Sequence, residues 1–514
     1  MSTEARRDSR QLDREAQGLA VGGEPAAFAG KEMRIVIAGA GLSGILKGIR
    51  LKQRGMHNFR ILEKASDLGG TWRDNRYPGV SCDTPGHAYV YSFALNPDYK
   101  TRYAPGAEIL AYYRRVAKKF GVIQHLTYNA EVLSAEWTGR SWRIEAANGE
   151  ELEAEVFISA CGRLHQPKIP DIPGLADFAG PWFHSARWDP SVGVRRKRVG
   201  VIGTGSSAAQ IISALPSQVE RLVVFQRSPH WFIDPPNTRL SLAKRLKLRF
   251  IPGEARKYYE KLHAFGEGLA RQRMQGGEAG QQVVADFAHA ALAKIRDPEL
   301  RRKLTPDYAV GCKRIVICAA FAEAIQQPNV ELEVEGITRV EAEGVRLRDG
   351  RLQRLDVLCL ATGFRSDAYM RPMTLKGKDG VTLDELWADS FVNYRTVALP
   401  QMPNFFMING PFSPGGTSPI VRVAEIQTGY VIQLIDRLAE QGGCLYPDDA
   451  RTRALVAEIQ DRAKQTVWFT GGCESWYLDR NGVPLVDPVL PSEMAKAMKT
   501  AHFADFVHEP AQRL

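Results

Sequence analysis

Two glycine-rich turns are the stretches of this 514-residue sequence whose residue types and spacing best suit chemistry. In such turns the first glycine permits a tight bend, the second lets the backbone approach a pyrophosphate, and a third small residue lets a helix pack closely on a strand. The N–H groups of the following helix then face the phosphates. The alternative for the first turn is a structural bend that binds nothing. The positions are Gly39, Gly41 and Gly44 in the first turn, and Gly203, Thr204, Gly205, Ser206, Ser207 and Ala208 in the second.

The residue that ends the second strand of each unit differs between the two turns. The apolar run 59–62 ends in Glu63, about 20 residues past the first turn, where a carboxylate accepts hydrogen bonds from a ribose. The run 221–226 ends in Arg227, followed by Ser228. A carboxylate repels a 2′-phosphate, whereas a guanidinium binds one with two hydrogen bonds. The sequence therefore predicts one FAD-type site and one NADP-type site.

Each turn needs a strand before it and a helix after it, and the sequence supplies both. Residues 33–38 and 198–202 are predicted as buried strands that run into the glycines, and 45–54 and 208–215 as the helices that follow. Residues 238–307 differ, because their apolar residues recur at helical spacing, as in Val284, Phe287, Ala288, Ala291, Leu292 and Ile295. We predict an α/β fold of two Rossmann-like, doubly wound dinucleotide-binding domains, with a helical insertion in the second.

Between the turns lies a stretch with a recognisable spacing, Phe-x-Gly-x3-His-x3-Trp-Asp. It resembles the fingerprint of type I Baeyer–Villiger monooxygenases, which are FAD- and NADPH-dependent class B flavoprotein monooxygenases, at every defined position. The alternative is an ordinary linker with a capped turn. The resemblance extends over roughly residues 33–477, with further motifs in the expected order, and implies that this stretch is a hinge between the two domains. We call it the fingerprint; its defined residues are Phe178, Gly180, His184, Trp188 and Asp189.

On the FAD side, the resemblance extends to the glycine pair and tryptophan of residues 69–72 and to Asp83, which it places beside the flavin ring. Taken alone, Asp83 could be a turn residue. Tyr89 and Tyr91 would continue the wall along the flavin, and their alternative is core packing. The remaining FAD contacts that the resemblance implies are Thr71, Trp72 and Val132.

On the NADP side, the resemblance assigns roles to the adjacent cations Lys313 and Arg314. The lysine would join the 2′-phosphate, and the arginine would reach over the flavin to stabilise a negatively charged peroxide. Without the resemblance, both would be surface charges. Trp476 resembles a tryptophan of a mobile C-terminal segment that meets the nicotinamide, and its alternative is a buried structural indole.

The resemblance also implies a division of the chain and a reaction. NADPH would reduce FAD, the reduced flavin would form a C4a-peroxide with dioxygen, and its attack on a ketone would give an ester or lactone. A flavin-containing monooxygenase acting on amines or sulfides is the nearer rival, although its linker usually lacks the Trp-Asp ending; a non-catalytic flavoprotein is the more distant one. The predicted segments are a flexible arm (1–30), the FAD domain in two parts (31–164 and 365–514, with the C-terminal segment), the NADP domain in two parts (165–237 and 313–364), and the helical insertion (238–312).

Composition and charge limit the classes of molecule that this protein is expected to bind. The net charge of +10 comes without a compact basic tract or interleaved aromatic residues, so nucleic acid is not expected. No apolar run approaches the ~18 residues of a membrane span. The basic segment 239–249 could lie on an anionic membrane, but we expect a solvated helix face and no membrane association. The expected partners are a small ketone and dioxygen, with a monomer or weak oligomer.

Seven cysteines are present, with no Cys-x-x-Cys pair. They are predicted to be scattered reduced thiols of a cytoplasmic protein. The missing pair also argues against a disulfide reductase. No cluster of His or Cys has metal-ligand spacing, so no metal is expected.

Overall fold

The structure is a computed structural model that describes residues 32–275, 277–416, 419–479 and 481–511. The predicted flexible arm, 1–30, lies outside these residues. Two parallel five-stranded sheets organise the chain, and each has one glycine-rich turn at the end of its central strand. The predicted pair of Rossmann-like sheets is therefore confirmed, while the domain boundaries remain predictions.

The first sheet holds the first turn. Its central strand, Ile35–Ala38, is buried along its whole length and pairs in parallel with neighbours on both sides. Helix Leu42–Gln53 follows the turn and packs on helix Ile420–Gln441 from the far end of the chain. The strands in spatial order are Phe405–Met407, Val156–Ser159, Ile35–Ala38, Phe59–Leu62 and Leu126–Thr127.

The second sheet holds the second turn, which leads into helix Ser206–Ala214. Its edge strand, Trp182–His184, comes from the fingerprint and pairs in parallel with Val357–Leu360. The fingerprint is therefore part of this sheet and not only a connection to it. The strands in spatial order are Val330–Glu333, Arg221–Phe225, Arg198–Ile202, Val357–Leu360 and Trp182–His184.

The predicted insertion is helical, with helices Leu242–Phe250, Glu254–Gln275, Gly277–Leu292 and Pro298–Leu304. Of the residues whose spacing predicted helix, Val284 and Ala288 are buried, whereas Phe287 is 52% exposed. The helical prediction is confirmed, and Phe287 lies at the margin of the apolar helix face, outside the contact. Among the described residues, no helix is both long and apolar enough to cross a membrane.

Smaller elements complete the fold. Strands Val132–Trp137, Trp142–Ala146, Glu151–Ala154 and Thr374–Lys376 form a four-stranded sheet, and Ile337–Glu341, Gly344–Leu347 and Leu352–Arg354 form a three-stranded one. Two strand pairs are Phe232–Ile233 with Val316–Ile317 and Cys444–Pro447 with Phe506–Glu509. The remaining α-helices of the described residues are Thr71–Asp74, Gly106–Lys119, Phe321–Ala324, Leu383–Leu386, Asp449–Lys464, Val467–Thr470 and Pro491–Ala497.

A disulfide joins Cys312 to Cys473, with their Cα atoms 6.2 Å apart. The prediction that all seven cysteines are reduced thiols is therefore wrong for these two. They are separated by 161 residues, and only the tertiary fold brings the end of the insertion against the C-terminal segment. The other five cysteines are free, and four of them are buried.

Candidate active site between the two sheets

A cleft of about 1340 Å³ runs between the two glycine-rich turns and is lined by residues from both. This is larger than the ~300–1,000 Å³ of an ordinary small-molecule pocket, so it has room for more than one ligand. The predicted site residues Thr71, Val132, Thr204, Ser206, Ser207 and Ser228 lie on its wall. Gly44 and Ala208 are buried behind the wall, where their small size serves helix packing.

The turns themselves have the geometry that a pyrophosphate needs. Gly39 has φ +104°, and a Cβ there would lie 2.7 Å from the carbonyl oxygen of Ala160, so only glycine fits. A Cβ on Gly205 would meet no atom within 4 Å, so its glycine keeps space open toward the cleft and is not required by packing. Neither following helix has a side-chain cap or an acidic first-turn residue. Their first N–H groups are free for an anion.

Glu63 lies where the first site needs a carboxylate, but it also has structural partners. It accepts hydrogen bonds from the backbone N–H of Ala40 (2.8 Å) and Ala65 (3.0 Å), and from Nη1 of Arg73 (2.8 Å). The ion pair with Arg73 is buried. Glu63 therefore braces the turn. Three of its roughly four lone-pair sites are occupied, and because Glu63 lines the cleft, the remaining one on Oε2 can accept from a ribose. Sequence reasoning missed Arg73, which directly follows the predicted contact Trp72.

The aromatic residues divide between cleft and core. Trp72 and Tyr89 line the cleft and meet edge to face, with ring centroids 5.5 Å apart. Tyr91 is fully buried, stacks on Phe93 and does not line the cleft. Of the two tyrosines predicted along the flavin, Tyr89 lies on the cleft wall and Tyr91 in the core.

Asn409 provides an independent test of whether the first turn suits a polar cofactor. Its Nδ2 donates to Ser43 Oγ (3.1 Å), while its Oδ1 is buried without a hydrogen-bond partner. It lies on the cleft wall beside the first turn. An acceptor left alone at such a place is costly unless a ligand donates to it. The residues present fit a flavin dinucleotide.

Arg314 and Asp83 form an ion pair on the cleft wall, with Nη2 2.6 Å from Oδ2. The Asp83 carboxylate raises the pKa of Arg314 above its ordinary value, and burial only partly opposes this. The Arg314 side chain is 40% exposed, and it lines the cleft. The structure thus brings together two predicted catalytic residues that are 231 positions apart.

A second group of cations surrounds the end of strand Arg221–Phe225. Lys313 Nζ donates to Ser228 Oγ (3.1 Å), and Arg227 is exposed nearby on the wall. Burial, and then the charge of Arg227, lowers the pKa of Lys313. Burial, and then both cations, lowers the pKa of His230 to about 4. The charge of Arg227 acts on Lys313, and a phosphate bound between the two cations would relieve this repulsion.

The fingerprint residues have separate structural roles. A Cβ on Gly180 would lie 2.5 Å from the carbonyl oxygen of Asp356, and Phe178 and Trp188 enter two different apolar cores. His184 is buried; its Nδ1 accepts from Ala186 N–H (3.1 Å), so its Nε2–H donates to the Gly363 carbonyl (2.8 Å). Asp189 is exposed and accepts only from Ser191, in its own turn.

Trp476 lines the cleft and is held by a residue that sequence reasoning missed. The Arg163 guanidinium lies over its indole, 4.7 Å from the ring centroid, and donates to its carbonyl (3.2 Å). The buried-indole alternative is therefore not what the structure has. No group of three or more potential metal ligands is found within the described ranges.

Comparison with known proteins agrees with this geometry. The profile of the pyridine nucleotide-disulphide oxidoreductase family matches residues 36–264. An uncharacterized monooxygenase of Mycobacterium tuberculosis is 40% identical over 91% of this chain and 94% of its own. A Baeyer–Villiger monooxygenase of Streptomyces coelicolor is 37% identical over 88% of each chain, and one of Pseudomonas aeruginosa is 33% identical over 90% and 88%.

Solved structures agree as well. An oxidized steroid monooxygenase bound to NADP superposes with a TM-score of 0.83 at 28% identity, covering 93% of this chain and 100% of its own. A closed cyclohexanone monooxygenase gives 0.83 at 27% identity, covering 94% and 100%. Both turns, the fingerprint and the Arg314–Asp83 pair are in place, and the sequence is 33–37% identical to Baeyer–Villiger monooxygenases along nearly its whole length. The chain therefore belongs to the Baeyer–Villiger monooxygenase family.

Proposed function

We propose that this protein inserts one atom of dioxygen next to a ketone carbonyl, giving an ester or lactone and water, with NADPH as reductant and FAD as bound cofactor. One observation carries the proposal: the Arg314–Asp83 pair opens into the same cleft as both glycine-rich turns. Membership of the Baeyer–Villiger family, and relatives in complex with NADP, support it.

FAD would lie along the first turn. The free N–H groups of helix Leu42–Gln53 would bind its pyrophosphate, Glu63 its ribose, and Asn409 Oδ1 would accept from its polar groups. Trp72 and Tyr89 would pack along it. When bound, FAD accepts hydride from NADPH and activates dioxygen.

NADPH would lie along the second turn. We assign Arg227 and Lys313 to its 2′-phosphate, with Ser228 holding the lysine in place. A phosphate there would remove the repulsion between the two cations, so binding is favoured beyond the hydrogen bonds formed. Trp476, held by Arg163, would meet the nicotinamide end.

Arg314 is assigned to the oxygen chemistry. A guanidinium stays protonated throughout the working pH range, and Asp83 holds this one in one orientation at the cleft wall. Negative charge that develops on oxygen would be stabilised without prior rearrangement of the site. Because Asp83 occupies Nη2, other N–H groups of the guanidinium remain to donate.

The predicted domain boundaries and the hinge role of the fingerprint are part of the proposal. His184 supports them, because it links the fingerprint to the Gly363 turn on the cleft wall. A cytoplasmic location is also proposed, with the five free cysteines in support and the Cys312–Cys473 disulfide as the exception to the reduced state that this location favours. A monomer or weak oligomer is proposed as well.

The purified, FAD-loaded protein tests the function. We expect anaerobic NADPH to bleach the flavin absorbance much faster than NADH. Under an atmosphere of ¹⁸O₂, a panel of cyclic, linear, aryl and steroid ketones should include one that yields an ester carrying one labelled oxygen atom. Oxidation of amines or sulfides with no ester from any ketone would favour the flavin-containing monooxygenase alternative. A flavin that NADPH does not bleach would contradict both the proposed function and this alternative.

A further inference from the structure

Helix Leu42–Gln53 and its neighbours bury their apolar faces, but helix Leu242–Phe250 at the start of the insertion does not. Leu242 is 62% exposed, Leu246 46% and Phe250 69%. These positions are four apart and so form one stripe along the helix. Leu248, on the opposite side, is 3% exposed and anchors the helix to the protein. We call the three exposed residues, with the adjacent exposed Ile251, the apolar stripe.

Cations flank the apolar stripe on both sides. At 100° per residue, Arg249 lies at one edge of the stripe and Lys247 at the other. The segment 238–257 contains seven lysines or arginines and one acidic residue, Glu254. Lys247 pairs with Glu254 (3.1 Å) and Arg249 with Asp98 (3.3 Å), which leaves a large positive excess around the stripe.

The stripe is held in a fixed position on the molecule. Backbone hydrogen bonds join Arg102 N–H to the Thr238 carbonyl (3.0 Å) and Leu240 N–H to the Lys100 carbonyl (2.8 Å). The residue before the helix, Ser241, caps it by accepting from Lys244 N–H (3.2 Å). Lys100 and Arg102 add two more cations beside the helix. The exposed leucines and phenylalanine are therefore presented by an ordered element.

We propose that the apolar stripe docks on the surface of a bilayer that contains anionic phospholipids, with the leucines and Phe250 among the acyl chains and the flanking cations at the phosphates. An apolar face bordered by lysine and arginine is the composition of helices that lie in the membrane interface. This proposal replaces the solvated helix face expected from the sequence, because the structure leaves the apolar stripe exposed. Such a helix does not have to cross the bilayer. A second copy of this chain fits less well, because two such faces would bring their excess positive charge together.

Vesicle binding by the FAD-loaded enzyme tests the proposal. We expect co-sedimentation with vesicles of phosphatidylcholine and phosphatidylglycerol, and weaker binding to phosphatidylcholine alone. Binding to the anionic vesicles should weaken in 0.5 M salt, which screens charge. The double variant L246S/F250S should lower the partition coefficient by roughly tenfold or more, since it removes two large apolar side chains from the contact.

A matched control variant distinguishes binding through the apolar stripe from nonspecific adsorption through other exposed apolar side chains. L133S/F469S removes one leucine and one phenylalanine that are also exposed, at 49% and 47%, on other elements. It should bind vesicles like the unchanged enzyme, and both variants should keep their bound FAD and NADPH oxidation in solution. That retained activity also separates this test from a failure of the proposed reaction.

Three results would overturn the proposal. The unchanged enzyme does not bind anionic vesicles; or both double variants lose binding equally; or light scattering finds a dimer that L246S/F250S dissociates while vesicles bind neither protein. The last result would assign the stripe to an interface between copies of this chain.

Discussion

The Arg314 guanidinium has one carboxylate neighbour and an open side toward the cleft. Replacing it with alanine should leave FAD bound and reducible by NADPH, because hydride transfer creates no oxyanion. Ester formation should fall by ~10²–10³, the usual loss when a donor to developing negative charge is removed. Consumed NADPH should then appear as hydrogen peroxide. Anaerobic mixing with NADPH measures flavin reduction. Rapid mixing of the reduced enzyme with dioxygen, followed by product analysis, measures ester formation.

Arg314→Lys is the matched control, since it keeps the charge and loses the directed donors; it should retain more ester formation than alanine does. Ester produced by Arg314→Ala at the unchanged rate would remove Arg314 from the oxygen chemistry.

Arg227 allows a similar separation between the two coenzymes. Hydrogen bonds to a charged partner contribute ~1.5–3 kcal/mol, so Arg227→Ala should weaken NADPH use by roughly ten- to a hundredfold. NADH lacks the 2′-phosphate, and its kcat/KM should hardly change. Steady-state kinetics with both coenzymes provide the measurement and its internal control. An equal loss for both would mean that Arg227 supports the strand end and not the phosphate.

At the scale of elements, the fingerprint strand Trp182–His184 joins the second sheet to the cleft wall. His184→Ala would leave the Gly363 carbonyl and the Ala186 N–H without their partner, at a cost of ~1–3 kcal/mol. We expect slower turnover with FAD retained. Asp189→Ala should hardly change the thermal midpoint, because Asp189 is exposed and bonds only within its own turn.

Turnover and thermal unfolding measured for both variants show whether each residue serves domain motion or supports the fold. If Asp189→Ala slows turnover without changing the thermal midpoint, the turn matters for motion. A colourless His184→Ala protein would show that His184 mainly supports the fold.

For the whole molecule, three histidines with strongly lowered pKa values contribute to the effect of acid on stability. Burial is the first cause that lowers the pKa of His87 and His230 to about 4 and of His263 to about 3. In the unfolded chain these groups take up protons near pH 6.5. Stability is therefore fully present above pH 6.5 and is lost as the pH falls toward 4, by up to ~1.4 kcal/mol per unit for each histidine.

Thermal unfolding between pH 7.5 and 5 measures this loss. His263→Asn should make the midpoint less sensitive to pH, because its ring Nε2 is buried without a partner and the asparagine does not titrate. His57→Asn, at an exposed position, should leave the pH dependence unchanged. An identical pH dependence for His263→Asn and the unchanged protein would show that His263 does not contribute.

The sequence alone determined the parts of this protein that depend on neighbouring residues. A glycine-rich turn between a strand and a helix is a local structure, so both turns and their sheets could be predicted from spacing. The contrast between Glu63 and Arg227 depends on residue type at one strand end, and it predicted two different dinucleotides. The helical insertion followed from periodicity, although Phe287 showed that periodicity does not decide which marginal residue is covered.

Only the tertiary structure decided contacts between residues far apart in the chain. Arg314 and Asp83, Arg163 and Trp476, and Cys312 and Cys473 are separated by 231, 313 and 161 positions, and no spacing rule relates such pairs. Tyr89 and Tyr91 are two residues apart, yet the first lines the cleft and the second fills the core. The exposure of the apolar stripe was likewise undecided, because a helix pattern specifies which residues share a face, while the packing of the surrounding elements decides whether that face is covered.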